Sequence, residues 1–373
     1  MKTTSILHIG KFYPPYRGGM ETHVRDLAVR QTDSASISVI AAHSEPWFEK
    51  TVMDGVSVTR VARFGTIASM PVCPGLALAI RRTPADLVHI HMPNPAAALS
   101  FLMSGHSGKL VITHHADTIG RRILRQLSDP FVESLMRRAG HIIVTSKRYL
   151  DSSSELSPFR HNCSIVPLGI DPDDVICNDK TAIRKLRQQL GDRIVLAVGR
   201  LVPYKGFDIL IRAMKDVDAR LILIGFGPQY GALIKLAQSE GVLEKITMLG
   251  KVEDIRPYFA AASVFVLPSV TRAEAFGMVQ LEAMSAGLPI VNTNIESGVP
   301  EVCIDGATGI TVPPRNVFAL SHAIQLLLNK QELRKRLGDA GKARVHAEFT
   351  SDLMARRIAA IYSDVLGIRF GDN

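Results

Sequence analysis

The chain contains 373 residues, which is enough for two domains of ordinary size. Hydrophobic residues make up 46% and charged residues 21%, so the composition excludes a disordered chain. The formal net charge is +9, and residues 1–170 hold 19 Lys and Arg against 12 Asp and Glu. A basic first half fits an anionic partner or surface, and it fits a role in solubility equally well.

The sequence contains no segment with the features of a membrane span, a signal peptide or a zinc site. No stretch reaches the ~18 consecutive apolar residues of a spanning helix, and the first apolar run is too short for a signal peptide. The four cysteines show neither CxxC pairs nor zinc-ligand spacing. We therefore expect a cytoplasmic protein with reduced thiols, whose contact with a membrane would be peripheral.

In the first half, short apolar runs alternate with helical segments. The run "ILHIG" predicts a buried strand, followed by the loop "KFYPPYRGG" and the helix "METHVRDLAVR". Further strand-like runs are "SISVIAAH", "VSVTRVAR", "DLVHIHMP", "KLVITHHAD" and "HIIVTSK". Alternating strands and helices favour a parallel sheet with right-handed crossovers.

The same alternation starts again after the segment "SIVPLGIDPDD", whose prolines and glycine indicate a domain boundary. We predict an α/β protein of two Rossmann-like, doubly wound domains that face each other across a cleft, at residues 1–170 and 171–350. The helix in residues 351–373 is expected to pack back towards the first domain. Ligands of such sheets bind beyond the carboxyl ends of the strands.

Two glutamates mark the start of a helix in "EAFGMVQLEAM", with Glu274 just outside it and Glu282 inside it. If the helix begins near Gly277, its free amides and partly positive end attract phosphate. The two carboxylates then suit the two sugars of a nucleotide sugar. Two alternatives stay open here: a surface helix with ordinary acids near its favourable end, and a glycosidase pair ~5–9 Å apart.

Two cations follow a strand in "GRLVPYKGFDILIRAM". Arg200 leaves the strand at its carboxyl edge, and Lys205 precedes the next helix. Together they can neutralise a diphosphate leaving group, or they can belong to a solvated loop.

The order of these motifs resembles glycosyltransferase family 4, a family of retaining enzymes with the two-domain GT-B fold. The resemblance rests on "GRLVPYKGFDILIRAM", "LILIGFGP", "ITMLGKV", "SVFVLPS" and "EAFGMVQLEAMSAGLPIV", and on the N-terminal pieces "GKFYPPYRGGMETHV", "HIHMPNP" and "THHAD". The set is most similar to bacterial mannosyl- and rhamnosyltransferases of surface-polysaccharide assembly, because of "TRAEAFGMVQLEAM" and "NTNIESGVPEV".

The resemblance implies roles for residues of the second domain. Glu274 would reach hydroxyls of the donor sugar, and Glu282 would hold the nucleotide ribose. Arg200 and Lys205 would stabilise the diphosphate as negative charge builds on it. The other donor-binding positions that the resemblance implies are the amides of Gly277, Met278 and Val279 and, near the base, Lys251 and Val252.

In the first domain, the resemblance points to loops that follow strands. Gly18 and Gly19 precede a helix, where their amides would approach the donor diphosphate. The family pattern T-x-H-x-D places His115 near the donor sugar, so we include it among the catalytic residues. His91 and Asn94 would line the acceptor side. Either histidine can instead be an ordinary structural residue.

Two further motifs imitate other sites. "GFGPQYG" departs from the dinucleotide fingerprint in its third glycine, and no acidic residue closes the next strand ~20 positions on. "DPDD", from Asp171, imitates a metal-binding DxD motif but lies where acids commonly cap turns. We therefore expect no cofactor, and the resemblance implies no bound metal, because GT-B enzymes generally need none.

A basic, partly apolar stretch of the first half is either a membrane-facing helix or a domain helix with a buried apolar side. Its parts are "RRILRQ", from Arg121, and "MRRA", interleaved with Leu124, Leu127, Phe131, Leu135 and Met136. In the family the first domain receives the acceptor, often linked to polyprenyl diphosphate, so this surface would contact anionic lipid on the inner face of the cell membrane. No aromatic-rich basic platform accompanies the arginines, so nucleic acid is not an expected partner.

The motifs and the resemblance together predict a retaining hexosyltransferase that moves mannose from GDP-mannose to a growing, lipid-linked glycan in polysaccharide or lipopolysaccharide biosynthesis. The expected partners are a nucleotide-sugar donor and a saccharide acceptor. Two alternatives remain: a glucosyl- or rhamnosyltransferase that uses another nucleotide sugar, and a catalytically inactive nucleotide-sugar-binding subunit.

Overall fold

A computed structural model describes residues 4–16, 18–67, 70–117, 122–368 and 370, and for residues 122–127 it describes the backbone alone. The chain divides into two compact units. The first unit comprises Met1–Gly169 and Ser351–Asn373, and the second comprises Ile170–Thr350.

The first unit alternates strands and helices and ends with a helix from the carboxyl end of the chain. Its elements are β1 (Ser5–Ile9), α1 (Gly19–Arg30), β2 (Ser36–Ala42), β3 (Glu49–Met53), β4 (Val56–Val61), β5 (Thr66–Ile67), β6 (Met70–Pro71), α2 (Leu76–Arg81), β7 (Leu87–Met92), α3 (Pro95–Ser104), β8 (Lys109–His114), α4 (Arg122–Arg138), β9 (His141–Val144), α5 (Lys147–Ser152), β10 (Cys163–Ile165) and α14 (Ser351–Leu366).

Within the described residues, the main sheet of this unit has eight strands in the order β10-β9-β8-β7-β1-β2-β4-β3. All neighbouring strands pair in parallel except β3 and β4. The chain builds outward from β1 in one direction and from β7 in the other. The loops after β1 and β7 therefore flank the point where the strand order reverses, which is where ligands of such sheets bind.

The second unit repeats the alternation. Its elements are α6 (Lys180–Leu190), β11 (Ile194–Val198), α7 (Phe207–Ala213), β12 (Arg220–Ile224), α8 (Tyr230–Ser239), β13 (Ile246–Met248), α9 (Arg256–Ala261), β14 (Val264–Leu267), α10 (Met278–Ser285), β15 (Ile290–Thr293), α11 (Val299–Val302), β16 (Gly309–Val312), α12 (Val317–Asn329) and α13 (Gln331–Glu348).

The sheet of the second unit has the order β13-β12-β11-β14-β15-β16, with every pair parallel. This order is that of a Rossmann sheet, and its reversal lies between β11 and β14. The predicted α/β class with two doubly wound units is confirmed. The motifs with Lys205 and Glu274 follow these two strands, so the topology places both at the reversal point.

Close backbone packing explains the first two glycines of "GFGPQYG". Gly225 has φ +155°, and a β-carbon there would collide with the carbonyl oxygen of Gly199. A β-carbon on Gly227 would lie 2.5 Å from the carbonyl oxygen of Leu201. The loops after β11 and β12 therefore lie against each other, and the glycines permit this approach. In "DPDD", the Asp171 carboxylate accepts a hydrogen bond from the amide of Asp173 at 3.1 Å, as expected for a capping residue.

Helix α4 carries the basic stretch considered for membrane contact. Leu135 and Met136 are buried in the core of the first unit, while Phe131 is partly exposed. Outside the described residues lie Arg121 and the side chains of Leu124 and Leu127. The described part of α4 thus fits the alternative of a domain helix. Across the portion of the chain that the structure describes, no helix is both long enough and apolar enough to span a bilayer.

Candidate active site

The centre of the site in the second unit is a buried ion pair. Lys205 Nζ lies 2.5 Å from Glu274 Oε2, and both side chains are about nine-tenths buried. The Ser269 hydroxyl, also buried, donates to the same carboxylate oxygen at 3.1 Å. Glu274 is therefore held by two partners from two neighbouring loops.

These loops meet because the backbone ties them together. The amide of Val270 donates to the carbonyl oxygen of Tyr204 at 2.8 Å. Gly206 has φ +66°, and a β-carbon there would collide with the carbonyl oxygen of Pro268. Only glycine fits this position without strain, because both the dihedral angle and the contact exclude a side chain. The approach holds Lys205 over the loop that carries Glu274.

Helix α10 presents the predicted cluster of amides. Gly277 precedes the helix with φ +75°, a conformation that favours glycine. Within the described residues, the amides of Gly277, Met278 and Val279 donate no hydrogen bond. Three free amides and the positive end of the helix dipole form an anion-binding arrangement. This geometry supports the prediction of a phosphate site.

Glu282 lies on α10, partly buried, and its environment changes its acidity. Burial raises the pKa of Glu282 to about 7, although the positive charge of Lys205 acts in the opposite direction. Burial lowers the pKa of Lys205, but Glu274, Tyr204 and Glu282 outweigh this effect, so the net shift of that pKa is upward. Lys205 therefore remains a cation at neutral pH, while Glu282 changes charge there.

The remaining predicted donor positions follow β11 and β13. Arg200 is exposed, and within the described residues its guanidinium makes no ion pair. Arg200 follows Gly199, whose amide extends the pairing of β11 with β12 by donating a hydrogen bond to the carbonyl oxygen of Ile224 at 2.9 Å. Lys251 is exposed and Val252 is partly buried. All these residues lie at the carboxyl edge of one sheet, and Arg200 retains a free charge for a ligand.

In the first unit, the first turn of the helix after the double-glycine loop carries a carboxylate, Glu21, that the sequence interpretation missed. Helix α1 begins at Gly19, and Gly18 is its N-cap residue. A β-carbon on Gly18 would collide with the carboxylate of Glu21. Burial raises the pKa of Glu21, against the effects of its own amide and of Lys11. Glu21 thus lies where the predicted diphosphate would approach, so we expect donor binding to displace it.

His115 belongs to a chain of hydrogen-bonded rings. His115 Nε2 lies 3.4 Å from His91 Nδ1, and His91 Nε2 lies 3.3 Å from His8 Nδ1. His8 Nε2 lies 2.9 Å from the side-chain oxygen of Gln31. Burial lowers the pKa of His115 to about 3 and that of His91 well below its usual value. The chain is therefore uncharged at neutral pH.

The two candidates for the acceptor side have structural partners. His91 has no exposed surface, so a saccharide acceptor outside the unit would not contact it directly. Asn94 caps α3, where its side chain accepts a hydrogen bond from the amide of Ala97 at 3.2 Å. The buried rings of His8 and His23 were not predicted, although His8 lies among apolar residues in the buried strand β1 and His23 is among the buried residues of α1.

Models of protein families match both halves of the chain. The model described as "Glycosyl transferases group 1" matches residues 178–344. The model described as "Glycosyltransferase Family 4" matches residues 17–174. The two ranges agree closely with the two units of the structure.

Three curated bacterial relatives are named as rhamnosyl- or mannosyltransferases. D-rhamnosyltransferase WbpZ of Pseudomonas aeruginosa is 30% identical, over 72% of this chain and 70% of its own length. O-antigen chain mannosyltransferase C of Escherichia coli is 26% identical, over 97% and 98%. The GDP-mannose-dependent alpha-(1-6)-phosphatidylinositol monomannoside mannosyltransferase of Mycobacterium tuberculosis is 29% identical, over 95% and 97%.

Solved structures share the fold at lower identity. Sucrose-phosphate synthase from Thermosynechococcus elongatus superposes with a TM-score of 0.80 at 20% identity, covering 98% of this chain and 99% of its own. Anabaena Alr3699/HepE, in complex with UDP and glucose, superposes with a TM-score of 0.79 at 21% identity, covering 97% and 100%.

Proposed function

Because the chain belongs to glycosyltransferase family 4 and is a hexosyltransferase of the GT-B fold, we propose that it transfers mannose from GDP-mannose, with retention, to a growing, lipid-linked glycan. The observation that carries the proposal is the arrangement at the reversal point of the second sheet. There Lys205, from the loop after β11, forms a buried ion pair with Glu274, which lies on the loop that leads to a helix with free amides.

The choice of donor is supported by the relatives. Two of the three curated relatives named above are mannosyltransferases, and one of these is named as GDP-mannose-dependent. The third, a D-rhamnosyltransferase, keeps open the alternative of another nucleotide sugar. The proposed acceptor follows from relatives whose names include O-antigen chain and phosphatidylinositol monomannoside.

The proposed mechanism is electrostatic. The free amides of Gly277 to Val279 bind the diphosphate, and the cations of Lys205 and Arg200 stabilise the charge that develops on it as the bond to the anomeric carbon breaks. Glu274 keeps Lys205 in place and offers its carboxylate to hydroxyls of the donor sugar. Glu282 accepts hydrogen bonds from the ribose. The acceptor hydroxyl then attacks the same face of the sugar and passes its proton to a departing phosphate oxygen.

A panel of nucleotide sugars tests the donor. GDP-mannose is expected to raise the melting temperature more than equal concentrations of UDP-glucose, ADP-glucose or dTDP-rhamnose, because the stabilisation of the folded state grows with the logarithm of the ligand concentration divided by Kd. The same donors are then assayed for slow hydrolysis without acceptor. A larger shift of the melting temperature with dTDP-rhamnose would identify rhamnose, and not mannose, as the donor sugar. Binding without hydrolysis or transfer to any acceptor would indicate the inactive subunit.

An exposed apolar surface of the first unit supports the proposed contact with a membrane. The side chains of Trp47, Phe48, Phe64 and Ile67 are between 55% and 66% exposed. They lie on the loop after β2 and on the segment from β4 to β5, which backbone hydrogen bonds join side by side. Lys11 and Arg63 lie nearby, both 5.9 Å from the ring of Phe12. We call Trp47, Phe48, Phe64 and Ile67 the apolar loop surface.

Aromatic side chains bordered by cations suit the interface of an anionic bilayer. The surface lies at the carboxyl edge of the first sheet, the edge that also carries Gly18 and His115. An acceptor that is anchored in lipid would therefore meet this edge of the unit. This location differs from the helix α4 that the sequence had indicated.

The only tryptophan of the chain, Trp47, allows a direct measurement. Its fluorescence emission is expected to shift to the blue on vesicles that contain anionic lipid. The double variant Phe48→Ser/Phe64→Ser is expected to bind at least about tenfold more weakly, since each aromatic side chain leaving water contributes on the order of 1–2 kcal/mol. The matched control is Phe318→Ser, which removes an exposed phenylalanine of the second unit. An emission spectrum that vesicles leave unchanged would remove the membrane from the proposal.

A further inference from the structure

Three buried histidines of the first unit converge at the carboxyl edge of its sheet. His23 lies on α1, His91 on β7 and His115 directly after β8. One ring nitrogen of each lies within 4.8 Å of those of the other two. The rings of His23 and His115 are the closest pair, with centroids 4.8 Å apart.

His23 differs from the neighbouring histidines because its side chain has no hydrogen-bond partner among the described residues. Both of its ring nitrogens are buried and lack a hydrogen-bond partner among the described residues. Leaving a buried polar atom unsatisfied costs on the order of 1–3 kcal/mol, so such atoms call for an explanation. A ligand that takes a lone pair from a neutral imidazole would provide one.

The hydrogen-bond chain behind His91 prepares it as a ligand. The side-chain oxygen of Gln31 accepts from His8 Nε2, which leaves His8 Nδ1 to accept from His91 Nε2. His91 Nδ1 then carries a lone pair and points towards His115 Nε2, 3.4 Å away. Metal-bound histidines usually donate their second N–H in this way. Two nitrogens bound to one tetrahedral zinc ion lie about 3.3 Å apart, which follows from Zn–N bonds of about 2.0–2.1 Å.

Two other clusters of possible metal ligands among the described residues of the first unit contain a histidine whose two ring nitrogens already have hydrogen-bond partners. His89, which lies beside His8 and His91, has its two nitrogens 2.5 Å from the Tyr362 hydroxyl and 2.7 Å from the Thr113 hydroxyl. His114, near Asp117 and Glu155, lies 2.6 Å from the Tyr149 hydroxyl and 3.3 Å from Glu155.

We propose that His23, His91 and His115 form a binding site for a divalent transition-metal ion of the zinc class, and that the bound ion inhibits glycosyl transfer. Three neutral imidazoles with a fourth position for water match the ligand set of known zinc sites. Binding requires only that the ring proton of His115 move from Nε2 to Nδ1. The bound ion would coordinate the ring of His115, which is expected near the donor sugar. Through His23 it would also link α1 to the sheet. This proposal departs from the expectation of no bound metal.

Cobalt is the probe for the site, because tetrahedral Co²⁺ absorbs visible light far more strongly than the aqueous ion. The full chain, free of any histidine tag and treated with chelator, is expected to bind one equivalent of Co²⁺ with a tetrahedral spectrum that Zn²⁺ displaces. His23→Ala is expected to weaken binding at least about 100-fold, and Gln31→Ala by about 10–100-fold, as for residues that orient a ligand. The control is His161→Ala, which removes an exposed histidine and leaves binding unchanged.

The inhibition is measured as the ratio of rates with and without Zn²⁺, relative to each variant's own metal-free rate. Zn²⁺ is expected to inhibit the unmodified chain and the His161→Ala variant, and to have no effect on His23→Ala. Metal-free melting curves establish that His23→Ala is folded. An octahedral cobalt spectrum, or equal binding by the unmodified chain and His23→Ala, overturns the site. Tight tetrahedral binding without inhibition overturns the second half of the proposal.

Discussion

Replacing Lys205 by methionine is expected to lower kcat at least about 100-fold, while the KM for the donor changes by less. The ammonium group acts on charge that appears only as the diphosphate leaves, so its loss raises the barrier more than it weakens the ground-state complex. The measurement is a full donor saturation curve, with donor hydrolysis recorded alongside transfer. Methionine keeps the volume of the side chain, so the packing over Gly199 is preserved.

Two controls separate catalysis from stability in this experiment. Removing Lys205 leaves the buried carboxylate of Glu274 without its cation, and breaking such a pair costs about 3–5 kcal/mol of folding free energy. Melting curves therefore define a temperature at which the variant is folded. Lys235→Met, which removes an exposed lysine of α8, is the matched surface control. A folded Lys205→Met variant with a near-normal kcat would contradict the assigned role of the lysine.

The positions of Lys205 and Glu274 in the site could be predicted from the sequence, because each belongs to a local motif. Each follows an apolar strand by a few residues, and parallel strands end at one edge of a sheet. Their pairing with each other was not foreseen, since the motif interpretation directed Lys205 to the diphosphate and Glu274 to the sugar. The pair arises from the contact between two loops, which depends on the single missing β-carbon of Gly206.

The histidine cluster of the first unit could not be predicted from spacing. Its three members come from three separate segments of the chain, and the register of the sheet helps to bring them together. His8 lies opposite His89 where β1 pairs with β7, and His91 is two residues further along the same strand, on the same face. A shift of one residue in that register would turn these rings to the other face of the sheet. Such a shift leaves every motif in the sequence unchanged.

The two carboxylates of the second unit, Glu274 and Glu282, differ in how their burial affects the stability of the protein. Glu274 has its cation and its hydroxyl partner in the folded chain. Glu282 has a cation only at a distance, and its raised pKa shows that its charged form is disfavoured. A residue that destabilises the ligand-free protein is retained where a ligand compensates for it. The ribose hydroxyls expected at Glu282 would do so.

Replacing Glu282 by glutamine is therefore expected to stabilise the protein at high pH and to weaken donor binding. The folded pKa of about 7 lies above the ordinary value of 4.5, so the folded state holds its proton more tightly than the unfolded state. The free energy of unfolding of the unmodified chain consequently falls as the pH rises from 4.5 to about 7. At about pH 8 the Glu282→Gln variant is expected to be more stable by up to about 3 kcal/mol, and near pH 4.5 the difference vanishes.

Donor affinity provides the second half of this test. The ionised Glu282 accepts hydrogen bonds from the ribose, and the diphosphate of a nucleotide sugar stays ionised throughout this pH range. Calorimetric titration of the unmodified chain is expected to show affinity rising with pH up to about pH 7, while Glu282→Gln binds more weakly with a flatter profile. Glu296→Gln, an exposed glutamate of the same unit, is the control and should follow the unmodified chain in both measurements. If the Glu282→Gln variant gains stability yet binds the donor with full affinity, the carboxylate of Glu282 does not bind the ribose. The assignment of the ribose to Glu282 would then be wrong.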